Sequence, residues 1–332
     1  RRPGQLALST PRNEKDRVQI QSGTENGHTL GSPIGMLVLN EDHRPKDYSE
    51  TDLYPRPSHA DYTYIQKYGV KSASGGGRSS ARETIGRVAA GAIAEKVLQK
   101  ANNVEIVAFV SSIGGVLMNR DPRDAKFQEL LNTITREQVD AVGPVRCPDA
   151  SVREQMVKEI EKYRDAKDSI GGVVTCVIRN CPVGLGEPCF DKLEATLAHA
   201  MMSLPATKGF EFGSGFLGTL MPGSAHNDAF YFSEAENRLR TKTNFSGGVQ
   251  GGITNGENIY FSVAFKSAAT ISQEQPTASY DGKHGVLAAK GRHDPSVTPR
   301  AVPIVEAMAA LVLVDQLLMQ KAREYGASVV SK

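Results

Sequence analysis

Ser72 to Leu98 reads SASGGGRSSARETIGRVAAGAIAEKVL, and the layout of the remaining chain follows from how this stretch is interpreted. Gly75, Gly76 and Gly77 put no side chain between the backbone and a ligand or neighbour. Ser80 and Glu83 have the spacing of a capping box, which predicts a helix from Ser80 to Lys100. Ile85, Ala89, Ala92, Ile93 and Val97 fall on one face of that helix. The Ala and Gly residues between them suit a helix packed tightly on several sides. A helix N-terminus attracts anions through its free N–H groups and its dipole. Arg78 and Arg82 stand one turn apart at that end, so the stretch reads as an anion site, phosphate being the natural occupant. The other reading is a flexible glycine loop before a core helix whose arginines face water.

On either side of this helix the pattern is mixed. Val18–Ile20, Ile34–Leu39, Val104–Val110, Gly172–Ile178, Gly209–Leu217 and Ile259–Phe265 read as strands. Arg153–Arg164 reads as an amphipathic helix with Met156, Ile160 and Tyr163 inward. Leu193–Leu204 reads as a helix opened by the Asp191…Glu194 pair. Pro303–Tyr325 is a long apolar helix with a proline in its first turn. Residues 121–167 are charge-rich and read as a surface insertion. Strands and helices do not alternate regularly, so the expected class is α+β, with helices sandwiched between antiparallel β-sheets.

The bulk properties exclude several roles. The 332 residues carry a net charge of +2 with Lys and Arg spread along the chain, unlike the basic stripe of a nucleic-acid binder. The most apolar run, Ile304–Met319, is interrupted by Glu306, Asp315 and Gln316, which argues against a membrane span. Four cysteines in so long a chain, with no apolar leader after Arg1, suggest free thiols and a cytoplasmic setting. Their spacing suits no zinc site, and no metal is expected.

Two glycine motifs invite over-reading. Gly213-Ser214-Gly215-Phe216-Leu217-Gly218 matches a dinucleotide fingerprint, but Met221-Pro222-Gly223 follows at once where a helix should begin. Ser246 to Gly256 holds two Gly-Gly pairs without the Lys-Ser/Thr of a P-loop, and reads equally as a turn-rich hairpin or a ligand contact.

Proton-transfer groups accompany arginine at Arg56-Pro57-Ser58-His59-Ala60-Asp61 and at Arg292-His293-Asp294-Pro295, before Pro299-Arg300 enters the last helix. Arg1, Arg2 and Arg12 add cations at the start. A histidine such as His59 exchanges protons near neutral pH, and converging arginines clamp a substrate with several anionic groups. Taken singly, His59 is equally a satisfied surface histidine and Asp294 a turn residue before proline.

Together, in order, Arg1–Gln5 (RRPGQ), Arg56–Asp61 (RPSHAD), Ser74–Glu83 (SGGGRSSARE), Gly247–Gly252 (GGVQGG) and Gly291–Pro295 (GRHDP) resemble chorismate synthase over essentially the whole chain. The 121–167 segment and Asn255–Phe265 (NGENIYFSVAF) resemble its fungal branch. The resemblance implies one domain over residues 1–332. The implied reaction is the anti-1,4-elimination of phosphate from 5-enolpyruvylshikimate 3-phosphate, giving chorismate as the last step of the shikimate pathway. It further implies reduced FMN as cofactor, NADPH as its reductant in a bifunctional enzyme, and a homotetramer.

Residue by residue, the resemblance gives His59 and Asp294 catalytic roles beside the flavin. It gives FMN contacts to Arg78, Ser79, Ser80, Ala206, Gly251, Lys266, Ser267, Ala268, Ala269, Thr270 and Arg292. Substrate contacts fall to Arg1, Arg56 and Arg82. Pro205 and Ser267-Ala268-Ala269 depart from the bacterial wording, which predicts backbone contacts there. The family's N-terminal Gly-Glu-Ser-His motif, source of its second catalytic histidine, precedes the first residue here. The alternative expectation is therefore a catalytically incomplete flavin- and anion-binding protein.

Overall fold

The computed structural model describes residues 2–5, 8–10, 12–42, 52–70, 77–289 and 293–330. Its long strands form one antiparallel sheet: β1 (Glu105–Ile113), β2 (Val116–Leu117), β3 (Gly172–Arg179), β4 (Thr207–Phe212) and β5 (Ile259–Phe265). The spatial order is β2-β1-β3-β5-β4. Eight consecutive residues of β1 from Ile106 are buried, so this strand is covered on both faces, as a continuous apolar run demands. The strands crowd at Gly172, where a Cβ would stand 2.2 Å from the Ser112 carbonyl oxygen. The remaining strands pair two by two, as in Val18–Ile20 with Met36–Val38 and Phe230–Ser233 with Arg238–Thr241. The class is α+β as expected, with extended pairing concentrated in one sheet among the described residues.

Among the described residues, seven helices are longer than four residues: α1 (Asp61–Tyr68), α2 (Thr84–Asn102), α3 (Ala125–Thr133), α4 (Arg136–Ala141), α5 (Ala150–Asp165), α6 (Leu193–Met202) and α7 (Thr298–Val330). The last of these packs along α2, across β1 and β3, and against α6. By length and composition α7 could cross a membrane, yet half of its most apolar window is buried inside the protein.

The buried face of α2 differs from the expected one. Thr84, Gly91, Ala94 and Leu98 are buried, whereas Val97 is 39% exposed and Ala92 faces solvent. The reason is the closeness of α7: a Cβ on Gly91 would lie 2.5 Å from the Ala307 Cβ. Close helix approach selects the smallest side chains for the contact, not the most apolar. The start of α2 also differs. Ser80 Oγ accepts the Arg82 N–H at 3.2 Å, but Glu83 turns to Arg87 Nε at 3.1 Å, so the capping box does not close. Short 3-10 turns at Gly77–Ser79 and Ala81–Glu83 precede the helix proper. Likewise α6 opens at Leu193 without a side-chain cap.

Residues 121–167 are no mere surface excursion. Phe127, Leu131, Val139, Val145, Met156 and Ile160 belong to the main core, and Phe127 meets Tyr260 of β5 edge-on at 6.3 Å between ring centroids. The charge density that suggested an insertion sits on the outer faces of three amphipathic helices. The last helix begins at Thr298, which puts Pro303 inside it. Proline lacks an N–H, so the Pro299 carbonyl loses its usual partner. Arg146 Nη1 takes that carbonyl at 2.9 Å.

On α7, Glu306 is buried with one oxygen accepting the Ala108 N–H at 2.9 Å and the other 3.3 Å from Arg136 Nε. Burial raises its carboxyl pKa to about 7 against the pull of Arg136. The native state therefore holds an extra proton between the ordinary value of 4.5 and about 7. The stability this contributes is complete below the lower value and is lost as pH rises through the upper one. Glu306→Gln keeps an acceptor for Ala108 and removes the titration. Chemical denaturation at about pH 5 and about pH 8 should show the wild type losing roughly 2 kcal/mol more than the variant between the two.

Candidate active site

A cavity of about 690 Å³ opens where α1, the turns before α2, the turn after α6, the loop after β5 and the approach to α7 meet. That size is typical of a small-molecule site. Among the described residues its wall carries seven cationic side chains (Arg12, Arg56, Arg78, Arg82, Arg87, Lys266 and Arg300) against the two carboxylates Glu83 and Asp294. Such an imbalance suits a guest with several negative groups.

The segment before α1 makes the most tightly bonded corner. Ser58 takes a left-handed φ of 58°, and the His59 N–H bonds the Arg56 carbonyl at 3.1 Å, which folds the ring of His59 back toward Arg56. Arg56 grips the carboxylate of Asp61 bidentately, with Nε and Nη2 both donating at 2.8 Å, and its backbone N–H adds a third bond at 3.1 Å. His59 Nδ1 lies 2.9 Å from Asp61 Oδ1 and 3.1 Å from Arg56 Nη2. Burial works to raise the Asp61 carboxyl pKa, but the bonds from Arg56 and His59 outweigh it and hold the group well below the usual carboxylate range. Arg56 Nη1 also reaches Thr270 Oγ1 at 3.3 Å, and Lys266 Nζ donates to the Ser58 carbonyl at 3.1 Å, tying this corner to the loop after β5. Burial first, and then Lys208, lowers the Lys266 ammonium below its ordinary value.

Asp294 is fixed from both ends of the chain. Its Oδ1 accepts the Thr10 N–H at 2.9 Å and its Oδ2 pairs with Arg300 Nη1. Arg82 is aimed by acids behind the wall. Its Nη1 lies 3.5 Å from Glu14 and 3.3 Å from Asp16, and Nη2 donates to the Leu39 carbonyl at 3.1 Å. The same buried Glu14 takes Arg12 Nη2 at 3.0 Å. Arg87 clasps the turn after α6 through Ser203 Oγ at 2.6 Å and the Ser203 carbonyl at 3.2 Å. Ala206 in that turn holds a left-handed φ of 70°, a conformation a non-glycine residue keeps only where its surroundings enforce it.

His59, Asp294, Arg56, Arg82, Arg78, Ser79, Ser80, Ala206 and the whole loop Lys266–Thr270 therefore share one cavity wall. Gly251 does not belong to it. It forms, with Gly252, the two-residue turn between Val249–Gln250 and Ile253–Thr254, where both φ angles are positive (64° and 93°). That turn type favours glycine at both places, which accounts for the motif without a ligand. Arg1 and Arg292 lie outside the described residues. The Gly213 motif leads from β4 into a single helical turn, Gly215–Gly218, too short for a dinucleotide site. No group of three or more His, Cys, Asp or Glu among the described residues is placed to hold a metal ion.

Sequence reading missed some residues with near partners and others whose partners are remote. Asp61 stood inside a quoted motif, two residues from His59, and Arg300 in the approach to α7. Arg87, Thr10 and Ser203 gave no local signal, because only the tertiary fold brings them to the wall.

The chain matches the family model described as "Chorismate synthase" over residues 1–318. It is 74% identical to a chorismate synthase of Saccharomyces cerevisiae over 99% of this chain and 88% of that protein. Identity to the chorismate synthase of Schizosaccharomyces pombe is 64%, over 97% and 86%, and to that of the cyanobacterium Synechocystis 60%, over 97% and 86%. A crystal structure of a chorismate synthase superposes with a TM-score of 0.70 at 29% identity, covering 91% of this chain and 78% of the other.

The bridging role of Glu14 is open to measurement. Glu14→Ala would leave Arg12 and Arg82 facing each other without their shared anion, and is expected to cost about 3 kcal/mol in urea denaturation.

Proposed function

The chain belongs to the chorismate synthase family, and we propose from that premise that it eliminates phosphate from 5-enolpyruvylshikimate 3-phosphate with the aid of reduced FMN. The observation that carries the reading is the meeting of His59, Arg56, Arg82 and Asp294, drawn from distant parts of the sequence, on one cation-rich cavity. Relatives that bear the name chorismate synthase support it across nearly the whole chain.

The residues present fit the cofactor. The segment Arg78–Ser80, Ala206 and the loop Lys266–Thr270 border the same cavity as His59 and Asp294, and would hold the flavin there. When bound, reduced FMN supplies an electron-rich ring that lends density as the substrate C–O bond breaks and recovers it afterwards. Arg56 and Arg82 hold the substrate's anionic groups and stabilise the charge that grows on the departing phosphate. Their buried carboxylate partners fix their aim before the substrate arrives, so little reorganisation is needed in the transition state. His59 holds and moves a proton at its cavity edge. Asp294, fixed by Arg300 and the Thr10 N–H, lines the same cavity.

NADPH as the flavin's reductant, a homotetramer and a cytoplasmic setting belong to the same proposal. The first rests on the likeness to fungal relatives. The second draws support from Phe230, Phe232 and Leu239, exposed together on one face of a hairpin. The third draws support from four thiols that form no disulfide. The reading of a catalytically incomplete binder gains nothing from the fold or the relatives.

In the full-length protein, His59→Ala and Asp294→Ala should each lower turnover at least about a hundredfold while FMN still binds. Phosphate release from the substrate under anaerobic conditions with reduced FMN measures this, and wild-type rates in both variants would overturn the proposal.

A further inference from the structure

We infer that Arg87 is a positioning residue for the flavin: its guanidinium joins the turn after α6 to the turns before α2, and so fixes two of the three segments that border the cofactor's place. The inference rests on the reading that Arg78–Ser80, Ala206 and the loop Lys266–Thr270 hold FMN.

A guanidinium carries five N–H donors and accepts nothing. Arg87 engages four of them inside the protein. Its Nε donates to Glu83 Oε2 at 3.1 Å, and Nη2 to the Ser203 carbonyl at 3.2 Å. Its Nη1 donates to Ser203 Oγ at 2.6 Å and to Met308 Sδ at 3.6 Å. A side chain so committed is no clamp for a polyanionic guest, although it lines the cavity.

Its partners lie on three elements. Glu83 ends the pair of short turns that carries Arg78, Ser79 and Ser80. Ser203 follows α6 directly and leads to Ala206, and Met308 stands on α7. The Ala206 carbonyl in turn accepts the Lys266 N–H at 2.9 Å, at the head of the third segment. One side chain and one backbone bond suffice to connect all three.

The turn after α6 needs such a hold. Helix ends leave carbonyls without helical partners. Thr207 Oγ1 reaches those of Met202 at 3.3 Å and Leu204 at 2.8 Å, and Ser203 Oγ reaches that of Ala200 at 2.6 Å. Arg87 takes the Ser203 carbonyl, and its charge suits the negative end of the helix. Pro205 follows without an N–H, and Ala206 then adopts its left-handed φ of 70°, which persists only under constraint. Ser203 is exposed, so water would replace Arg87 at its carbonyl. What the guanidinium adds is therefore direction, not a bond otherwise lost. The fold survives its removal, while the turn drifts from the segments on either side.

The test uses full-length protein and two readouts. Anaerobic titration with reduced FMN, followed by flavin absorbance, should show Arg87→Met binding about tenfold or more weakly than wild type. Arg87→Lys keeps the charge without the fork, and its affinity should stay within about threefold of the Met variant's. In protein without FMN, amide deuterium exchange at Lys266 should quicken at least about fivefold in Arg87→Met. Wild-type affinity or wild-type exchange in folded Arg87→Met overturns the inference. Wild-type affinity in Arg87→Lys overturns it too, because charge alone then suffices. Should Arg87→Met not fold, Ser203→Ala takes its place: a loss of about threefold or more in FMN affinity supports the inference, and no loss overturns it. Wild-type protein that takes up no FMN sinks the flavin reading and this inference with it, whereas equal affinity in all variants sinks the inference alone.

Discussion

Among the described residues, seven cations around one cavity repel each other, and the fold must hold them together before any anion arrives. Carboxylates placed in the wall and behind it meet that constraint. Glu14 lies between Arg12 and Arg82, Asp61 is gripped by Arg56, and Asp294 pairs with Arg300. Each acid offsets the charge of a neighbour and fixes where its guanidinium points. Arginine suits this double duty, since its fork can engage a buried carboxylate on one edge and leave another free. The wall remains net positive because most of the acids sit behind it while the arginines face inward.

The scaffold that carries this wall depends on close backbone packing. Gly91 against Ala307 brings α2 and α7 within a methyl group of each other, and the sheet strands β1 and β3 lie beneath α7. The approach to α7 supplies Asp294, and the turns before α2 supply Arg78 to Glu83, so the position of both sets follows from one helix contact. A larger side chain at Gly91 would wedge the helices apart and shift two walls of the cavity together.

Much of this was legible in the sequence. Strands with β-branched runs, such as Val104–Val110 and Gly172–Ile178, reappear as β1 and β3 with ends moved by a few residues, because their apolar continuity has no helical period. The site was legible through long ordered motifs, and most of the residues they named share one cavity. Pattern alone failed where tertiary contact set the rule. The α2 stripe was judged by hydrophobicity, while the contact with α7 selected for small size. Charge on α3 and α4 concealed a core face made of only a few residues per helix, whereas the inward Met156 and Ile160 of α5 were legible from their spacing. Gly251 stands apart from the cavity because a turn that needs two left-handed residues leaves the same trace in sequence as a backbone cleared for a flavin. Arg87 and Thr10 carry no local mark, since their partners lie far along the chain.

The bond from the Thr10 N–H to Asp294 joins positions 284 residues apart. While the polypeptide is being made, Thr10 waits for 284 further residues before that acceptor exists. The cavity consequently cannot assemble piecemeal on the nascent chain. Its closure coincides with the docking of the final helix, and any truncated product that lacks α7 is left with an open basic surface in place of a pocket.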